Sequence, residues 1–156
     1  MELQMTDRSA EGVKRLVRGM IDPELPLVSN LSNLARVLYE VFDDVLWAGF
    51  YLSDETRTAL YLGPYQGPLA CTKIAFGKGV CGSAAAGKEV LVVPNVHEFS
   101  GHIACSSESN SEVVVPILKN GETVAVIDLD SRKFANFTQE DGELLAELAA
   151  IMAEIF

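Results

Sequence analysis

Two neighbouring segments constrain the fold more than anything else in the chain: residues 113–118 (VVVPIL) and 123–129 (TVAVIDL), separated only by Lys119-Asn120-Gly121-Glu122. β-branched residues dominate both, and Asn-Gly between two such runs is a strong short-range signal for an antiparallel hairpin. Two registers are open. A two-residue turn at Asn120-Gly121 pairs Lys119 with Glu122 and sets Glu112 opposite Leu129, whereas a three-residue loop with Gly121 as a left-handed bulge pairs Leu118 with Glu122 and sets Glu112 opposite Asp128. Side chains alternate faces along a strand, so a one-residue slip exchanges an entire face. The bulged register separates Val113, Val115, Ile117, Ala125, Ile127 and Leu129 from Glu112, Asp128 and Asp130, and it is the one expected. It gathers three carboxyl groups on one face, where they repel one another unless a cation enters or one of them takes a proton.

Around this hairpin the chain alternates helical and extended patterns. Residues 5–20 carry a weak helical stripe (Val13, Leu16, Val17, Met20) with Thr6 or Asp7 able to cap it, and residues 29–42 a stronger one. Strands are expected over 45–53, 58–62, 71–75 and 90–93, with residues 63–68 (GPYQGP) as a turn-rich loop. Residues 77–82 (GKGVCG) feed a short helix to Ala86, stopped by Gly87 in the left-handed region. Thr138 caps the last helix, with Asp141 completing a capping box and Leu144, Leu145, Leu148, Ile151, Met152 and Ile155 as its apolar stripe. Hairpin connections predominate over strand-helix-strand units, so the fold class is α+β, a central, mainly antiparallel sheet with helices packed on it.

The 156 residues, 49% of them apolar, suit one domain: residues 1–28 as an N-terminal helical extension and 29–156 as the core. A net charge of -10 argues against nucleic acid and anionic membranes as partners. The longest apolar run, residues 45–52, falls far short of the roughly 20 needed to span a bilayer, and no signal-peptide pattern opens the chain, so a cytoplasmic protein is expected. Three cysteines, Cys71, Cys81 and Cys105, suit that compartment and are expected to be reduced at rest. They lie ten and 24 positions apart, not in the close pairs that grip zinc, so no metal site is expected from their spacing.

Residues 100–116 (SGHIACSSESNSEVVVP) combine Cys105 with His102, Glu108, Glu112 and small polar residues, a mixture no core requires. The plain alternative is a solvated loop with Cys105 as a small buried filler. The connection from 95 to 111 is long for a compact domain, where such loops are usually functional or disordered. Trp47 and Tyr51 stand four apart on a predicted strand and share a face, either as core aromatics or as a wall for a ligand.

Taken with VLWAGFYL (45–52), LGPYQGPLAC (62–71), GKGVCG (77–82), VPNVHEFSGHIACSSESNSE (93–112), AVIDLDS (125–131) and FTQED (137–141), the chain resembles the free methionine-(R)-sulfoxide reductases, single-domain enzymes of the GAF fold. The likeness spans about residues 30–156. Two positions depart from the pattern: Tyr65 replaces a frequent phenylalanine, and Leu46 a frequent asparagine.

The resemblance implies an oxidoreductase that reduces free L-methionine-(R)-sulfoxide with no cofactor and with thioredoxin as reductant. Cys105 matches the nucleophile, which becomes a sulfenic acid; Cys71 matches the resolving cysteine, which condenses with it to a disulfide; and Cys81 matches an auxiliary cysteine. Glu112, Asp128 and Asp130 would hold the substrate's ammonium, Trp47 and Tyr51 its S-methyl side, and Asp130 or Glu112 would supply the proton for the departing oxygen. An acidic pocket disfavours a thiolate, so Cys105 would need help from loop N–H groups or from His102, whose other reading is a structural loop histidine. A homodimer is also implied. The alternatives are a non-catalytic GAF sensor with the cysteines as redox reporters, and a thiol peroxidase acting through Cys105.

Overall fold

The computed structural model describes residues 6–156. Helix α1 (Ala10–Met20) begins later than its apolar stripe suggested: Ser9, not Thr6 or Asp7, is the N-cap, its hydroxyl accepting from Gly12 N–H, and Met5 lies outside the described residues. Helix α2 (Leu27–Val41) starts directly after Pro26, and its Leu31, Leu34, Ala35 and Leu38 are fully buried. Complete burial of such leucines stabilises the fold by about 1.5–3 kcal/mol each.

Six strands follow, β1 (Trp47–Ser53), β2 (Ala59–Gln66), β3 (Lys73–Ala75), β4 (Leu91–Val93), β5 (Ser111–Lys119) and β6 (Glu122–Ser131), with α3 (Gly79–Gly87) between β3 and β4 and α4 (Gln139–Met152) at the end. They form one antiparallel sheet in the order β3-β2-β1-β6-β5-β4. The α+β expectation holds. Strand β2 runs four residues further than expected, through Gly63 and Pro64 to Gln66. A register shift against β1 between Gly49 and Tyr51 accommodates that stretch, because a bulge tolerates a proline that cannot donate to the ladder. Pro116 is tolerated in β5 for a related reason: β4 pairs only with residues 112–114, which leaves Pro116 without a neighbour on that side.

The last hairpin corrects the expected register. Asn120 and Gly121 both have positive φ (53° and 78°), the geometry of a tight two-residue turn, and Lys119 pairs with Glu122. The irregularity lies further along, between Ile117 and Leu118, where β6 carries the extra residue Val124. Glu112 therefore opposes Asp130, and Val114 opposes Asp128. The extra residue lets Thr123 turn to the other face, where its buried hydroxyl donates to Ala85 O of α3. The slip relative to expectation is two residues, so the separation of faces survives.

One face of the sheet (Ala48, Phe50, Val113, Val115, Ile117, Ala125, Ile127, Leu129) packs against α1, α2 and α4 in the main core. Helix α4 has the expected capping box, Thr138 accepting from Asp141 N–H and Asp141 from Thr138 N–H, and buries Leu145, Leu148, Ala149 and Met152. The opposite face (Trp47, Tyr51, Val114, Val126) meets α3 and the 94–110 connection in a second cluster. Helix α3 ends one residue later than predicted, with Lys88 rather than Gly87 in the left-handed region. Between α3, that connection and the sheet lies the pocket.

Candidate active site

The 94–110 connection crosses the second face of the sheet. Asn95 caps a short 3-10 turn at Val96–Glu98, and Asn110 N–H donates to Ser131 O as the chain enters β5. Between these anchors Cys105 is bonded to Cys71 (S–S 2.01 Å, Cα–Cα 5.2 Å). The thiols expected to be reduced at rest thus include a disulfide pair, leaving Cys81 as the free cysteine. Cys71 lies just before β3 rather than within a strand from 71 to 75. Its carbonyl accepts from the Tyr51 hydroxyl at 3.1 Å, which ties the disulfide to the sheet.

The pocket beneath the disulfide brings together Trp47, Tyr51, Cys81, Cys105, Glu112, Asp128 and Asp130. The cysteine, carboxyl and aromatic candidates are therefore all there, Cys71 through its bond to Cys105, whereas Glu108 is exposed and pairs with Arg132 outside the pocket. Trp47 and Tyr51 share the face, as their spacing required, with ring centroids 5.7 Å apart. Tyr65, noted in the sequence only as a departure from a phenylalanine, also stacks on Trp47, with ring centroids 5.1 Å apart. Gly49 makes that approach possible: a Cβ there would fall 2.4 Å from Tyr65 Cβ. Ser109 was missed as well. It is buried, and its hydroxyl donates to Asp130 Oδ1 at 2.8 Å. Its position in a serine-rich loop carried no periodic signal.

Glu112 and Asp128 are 6% and 5% exposed, deep enough to make ionisation expensive. Burial first, then the charge of Asp128, pushes the carboxyls of Glu112 and Asp130 well above the usual range. Burial also raises Asp128, while hydrogen bonding to Glu112, Cys81 and Asp130 works the other way. The three titrate as one coupled group in which protons are shared. Burial, followed by the charges of Asp128 and Glu112, keeps the Cys81 thiol protonated, and its sulfur lies 3.8 Å from Glu112 Oε1 as a donor. Tyr51 is raised by the same burial and the same anions. His102 lines the pocket and is pulled below the ordinary histidine range by burial and by His97. It is a neutral imidazole near pH 7, able to accept a proton.

Two buried polar atoms of the pocket have no hydrogen-bond partner among the described residues, the Trp47 indole Nε1 and Asp128 Oδ1. One is a donor and the other an acceptor. Such orphaned groups cost about 1–3 kcal/mol each, a cost a ligand offering the complementary groups can recover.

A GAF-domain family profile matches residues 29–156. The chain is 44% identical over 140 residues to the free methionine-R-sulfoxide reductase of Saccharomyces cerevisiae, covering 86% of this chain and 78% of that one. It is 42% identical over 132 residues to the Escherichia coli protein of the same name, with 85% and 79% covered. The chain belongs to the free methionine-R-sulfoxide reductase family. Among solved structures, the reductase of Neisseria meningitidis in complex with its substrate superimposes with a TM-score of 0.90 at 41% identity, covering 99% of this chain and 94% of that one. Membership makes this GAF domain an oxidoreductase and gives the Cys71–Cys105 disulfide a chemical context. No helix among the described residues is long and apolar enough to cross a membrane.

Proposed function

We propose that the protein reduces free L-methionine-(R)-sulfoxide to methionine through Cys105, with Cys71 as the resolving thiol and thioredoxin as the reductant. The observation that carries this reading is the convergence, in one pocket, of a Cys71–Cys105 disulfide with three carboxyl groups, Glu112 and Asp128 buried and Asp130 half-buried. Cysteine chemistry supplies the redox couple. The carboxyls supply the preference for a free amino acid, whose ammonium a peptide-bound residue lacks.

Reduced Cys105 attacks the sulfoxide sulfur and takes over its oxygen, which releases the thioether and leaves a sulfenic acid on Cys105. Cys71 displaces that oxygen as water, forming the disulfide, and a dithiol partner then reduces it by exchange. Sulfoxide oxygen must be protonated as it leaves sulfur, and Asp130 and Glu112, whose proton affinity burial and the neighbouring Asp128 raise, are the groups suited to supply that proton. Asp128, with an unpartnered oxygen, accepts from the ammonium. The Trp47–Tyr51 stack faces the methyl and methylene groups, and the free indole N–H offers a donor to a substrate oxygen. His102, on the same pocket lining as Cys105, is the base this reading assigns to the Cys105 proton.

The test uses free L-methionine-R-sulfoxide, its S epimer and the N-acetylated R-sulfoxide, with thioredoxin and its reductase recycling. Turnover is expected for the first alone. Acetylation removes the ammonium and leaves its carboxylate partner unpaired, at a cost of about 2–5 kcal/mol, so kcat/KM should fall by about 30-fold or more. Equal turnover of all three substrates, or of none, overturns the reading. Cys105→Ser should abolish single-turnover methionine release, whereas Cys71→Ser should preserve it and lose recycling by thioredoxin. Homodimerisation belongs to the same reading and is read from the mass in solution.

A further inference from the structure

Cys81 is the one cysteine for which the scheme above has no task. It sits in the first turn of α3, 4% exposed, and faces Glu112 and Asp128 from across the pocket. Its sulfur and one oxygen from each carboxyl lie within 4.8 Å of one another. The only cationic side chain on the pocket lining is Lys78, which is solvent-exposed.

Three acidic donors around one point and a buried Asp128 Oδ1 without a partner describe a cation site as well as an ammonium site. We infer that Cys81 Sγ, Glu112 and Asp128 form a site for a zinc-class divalent cation. The geometry is close to what such an ion needs. Metal–sulfur bonds of about 2.3 Å and metal–oxygen bonds of about 2.0–2.2 Å at tetrahedral angles put sulfur and oxygen about 3.5 Å apart. Cys81 Sγ and Glu112 Oε1 are already 3.8 Å apart, and the remaining edges, within 4.8 Å, need to close by no more than about 1.4 Å. The three groups line a cavity of about 40 Å³, room for a water as a fourth ligand. A thiolate with two carboxylates selects zinc or cadmium over magnesium or calcium, which prefer oxygen alone. Binding displaces the protons held on the three groups, so affinity rises with pH. The chain separations of 81, 112 and 128 resemble no metal motif; the sheet and α3 bring the residues together.

Under the reading in the preceding subsection this site overlaps the ammonium position, so ion and substrate exclude each other, but the binding itself does not depend on that reading. It is tested on the oxidised protein, in which Cys71 and Cys105 are bonded and Cys81 is the sole thiol. Cobalt(II) is titrated in as a spectroscopic probe. A thiolate-to-cobalt charge-transfer band saturating at one equivalent and displaced by zinc is expected. The band should vanish in Cys81→Ala, and the cobalt affinity should fall at least tenfold in Glu112→Gln or Asp128→Asn. Absence of a saturable band in the unmodified protein overturns the inference without recourse to any variant. So does a band that survives Cys81→Ala, or one unaffected by both carboxyl substitutions in variants whose far-UV circular dichroism is native. Loss of sulfoxide turnover with an intact cobalt band would count against the reductase reading alone, and the reverse against the metal site alone.

Discussion

Replacing Glu112 with glutamine should stabilise the folded protein at neutral pH while removing part of its function. Burial and the neighbouring Asp128 raise the folded-state proton affinity of Glu112 above its ordinary value of 4.5, and the same causes act on Asp130 from 3.8. A group raised in this way contributes stability that is complete below the unfolded pKa and is lost as pH rises through the folded one. Between about pH 4.5 and the folded titration, each such group lowers the unfolding free energy by on the order of 1 kcal/mol per pH unit. Two groups together give roughly 2–3 kcal/mol, which for a domain of this size corresponds to about 5–10 °C in Tm per pH unit. His102 has the opposite sign, because a histidine held below 6.5 in the fold gives stability that is lost as pH falls. Urea denaturation at intervals from pH 5 to 8 on Glu112→Gln and the unmodified protein isolates the Glu112 contribution, since His102 and the general acidity of the chain are common to both. The curves should diverge with rising pH, the variant becoming the more stable. Parallel curves, or a variant less stable throughout, would refute the claim that Glu112 is held protonated by burial.

Two further substitutions probe the scaffold of the pocket. Ser109→Ala removes the hydroxyl that donates to Asp130 Oδ1, and since that bond lowers the proton affinity of Asp130, the limb of the kcat/KM profile that reports it should move to higher pH, with a loss of about 1–3 kcal/mol in transition-state stabilisation. A uniform drop with an unmoved profile would reduce Ser109 to a packing role. Gly49→Ala forces a Cβ against the β2 backbone and Tyr65, so β1 and β2 must separate; a loss of about 2–4 kcal/mol in urea denaturation, with weakened near-UV circular dichroism from the Trp47–Tyr65 stack, is expected.

The elements most legible in the sequence are those in which local chemistry and burial agree. The capping box at Thr138 and Asp141 is a local device that needs no tertiary partner, and the stripe of α4 matches what it buries. Helix α1 was less legible at its start because Thr6, Asp7 and Ser9 are all competent caps, and only the packing of Val13 and Val17 selects Ser9. The continuation of β2 through Gly63 and Pro64 ran against propensity, since both residues ordinarily end strands. A tertiary feature outweighs that preference: Gly49 leaves room for β2 to approach, and the bulge absorbs the missing N–H of Pro64.

The hairpin of β5 and β6 shows which part of the pocket a sequence can specify. The expectation placed the irregularity in the turn, with Gly121 as the bulge, whereas Asn120 and Gly121 close a tight turn and Val124 carries the extra residue. Nothing local distinguishes the two arrangements, because Asn-Gly serves either turn and Val124 has the composition of any strand residue. They differ by two residues in register, and a strand repeats every two, so Val113, Val115 and Ile117 reach the core in both and Glu112, Asp128 and Asp130 reach the pocket in both. A slip of one would bury carboxylates in the main core at several kcal/mol each. A slip of two leaves the faces intact and changes only which carboxyl faces which: Glu112 meets Asp130 directly and Asp128 diagonally. The identity of the pocket residues thus follows from parity, which hydrophobic segregation enforces strongly. Their pairing follows from the exact register, which depends on where a single extra residue is accommodated, and it is this pairing that determines how protons, an ammonium or a metal ion are shared among the three carboxyl groups.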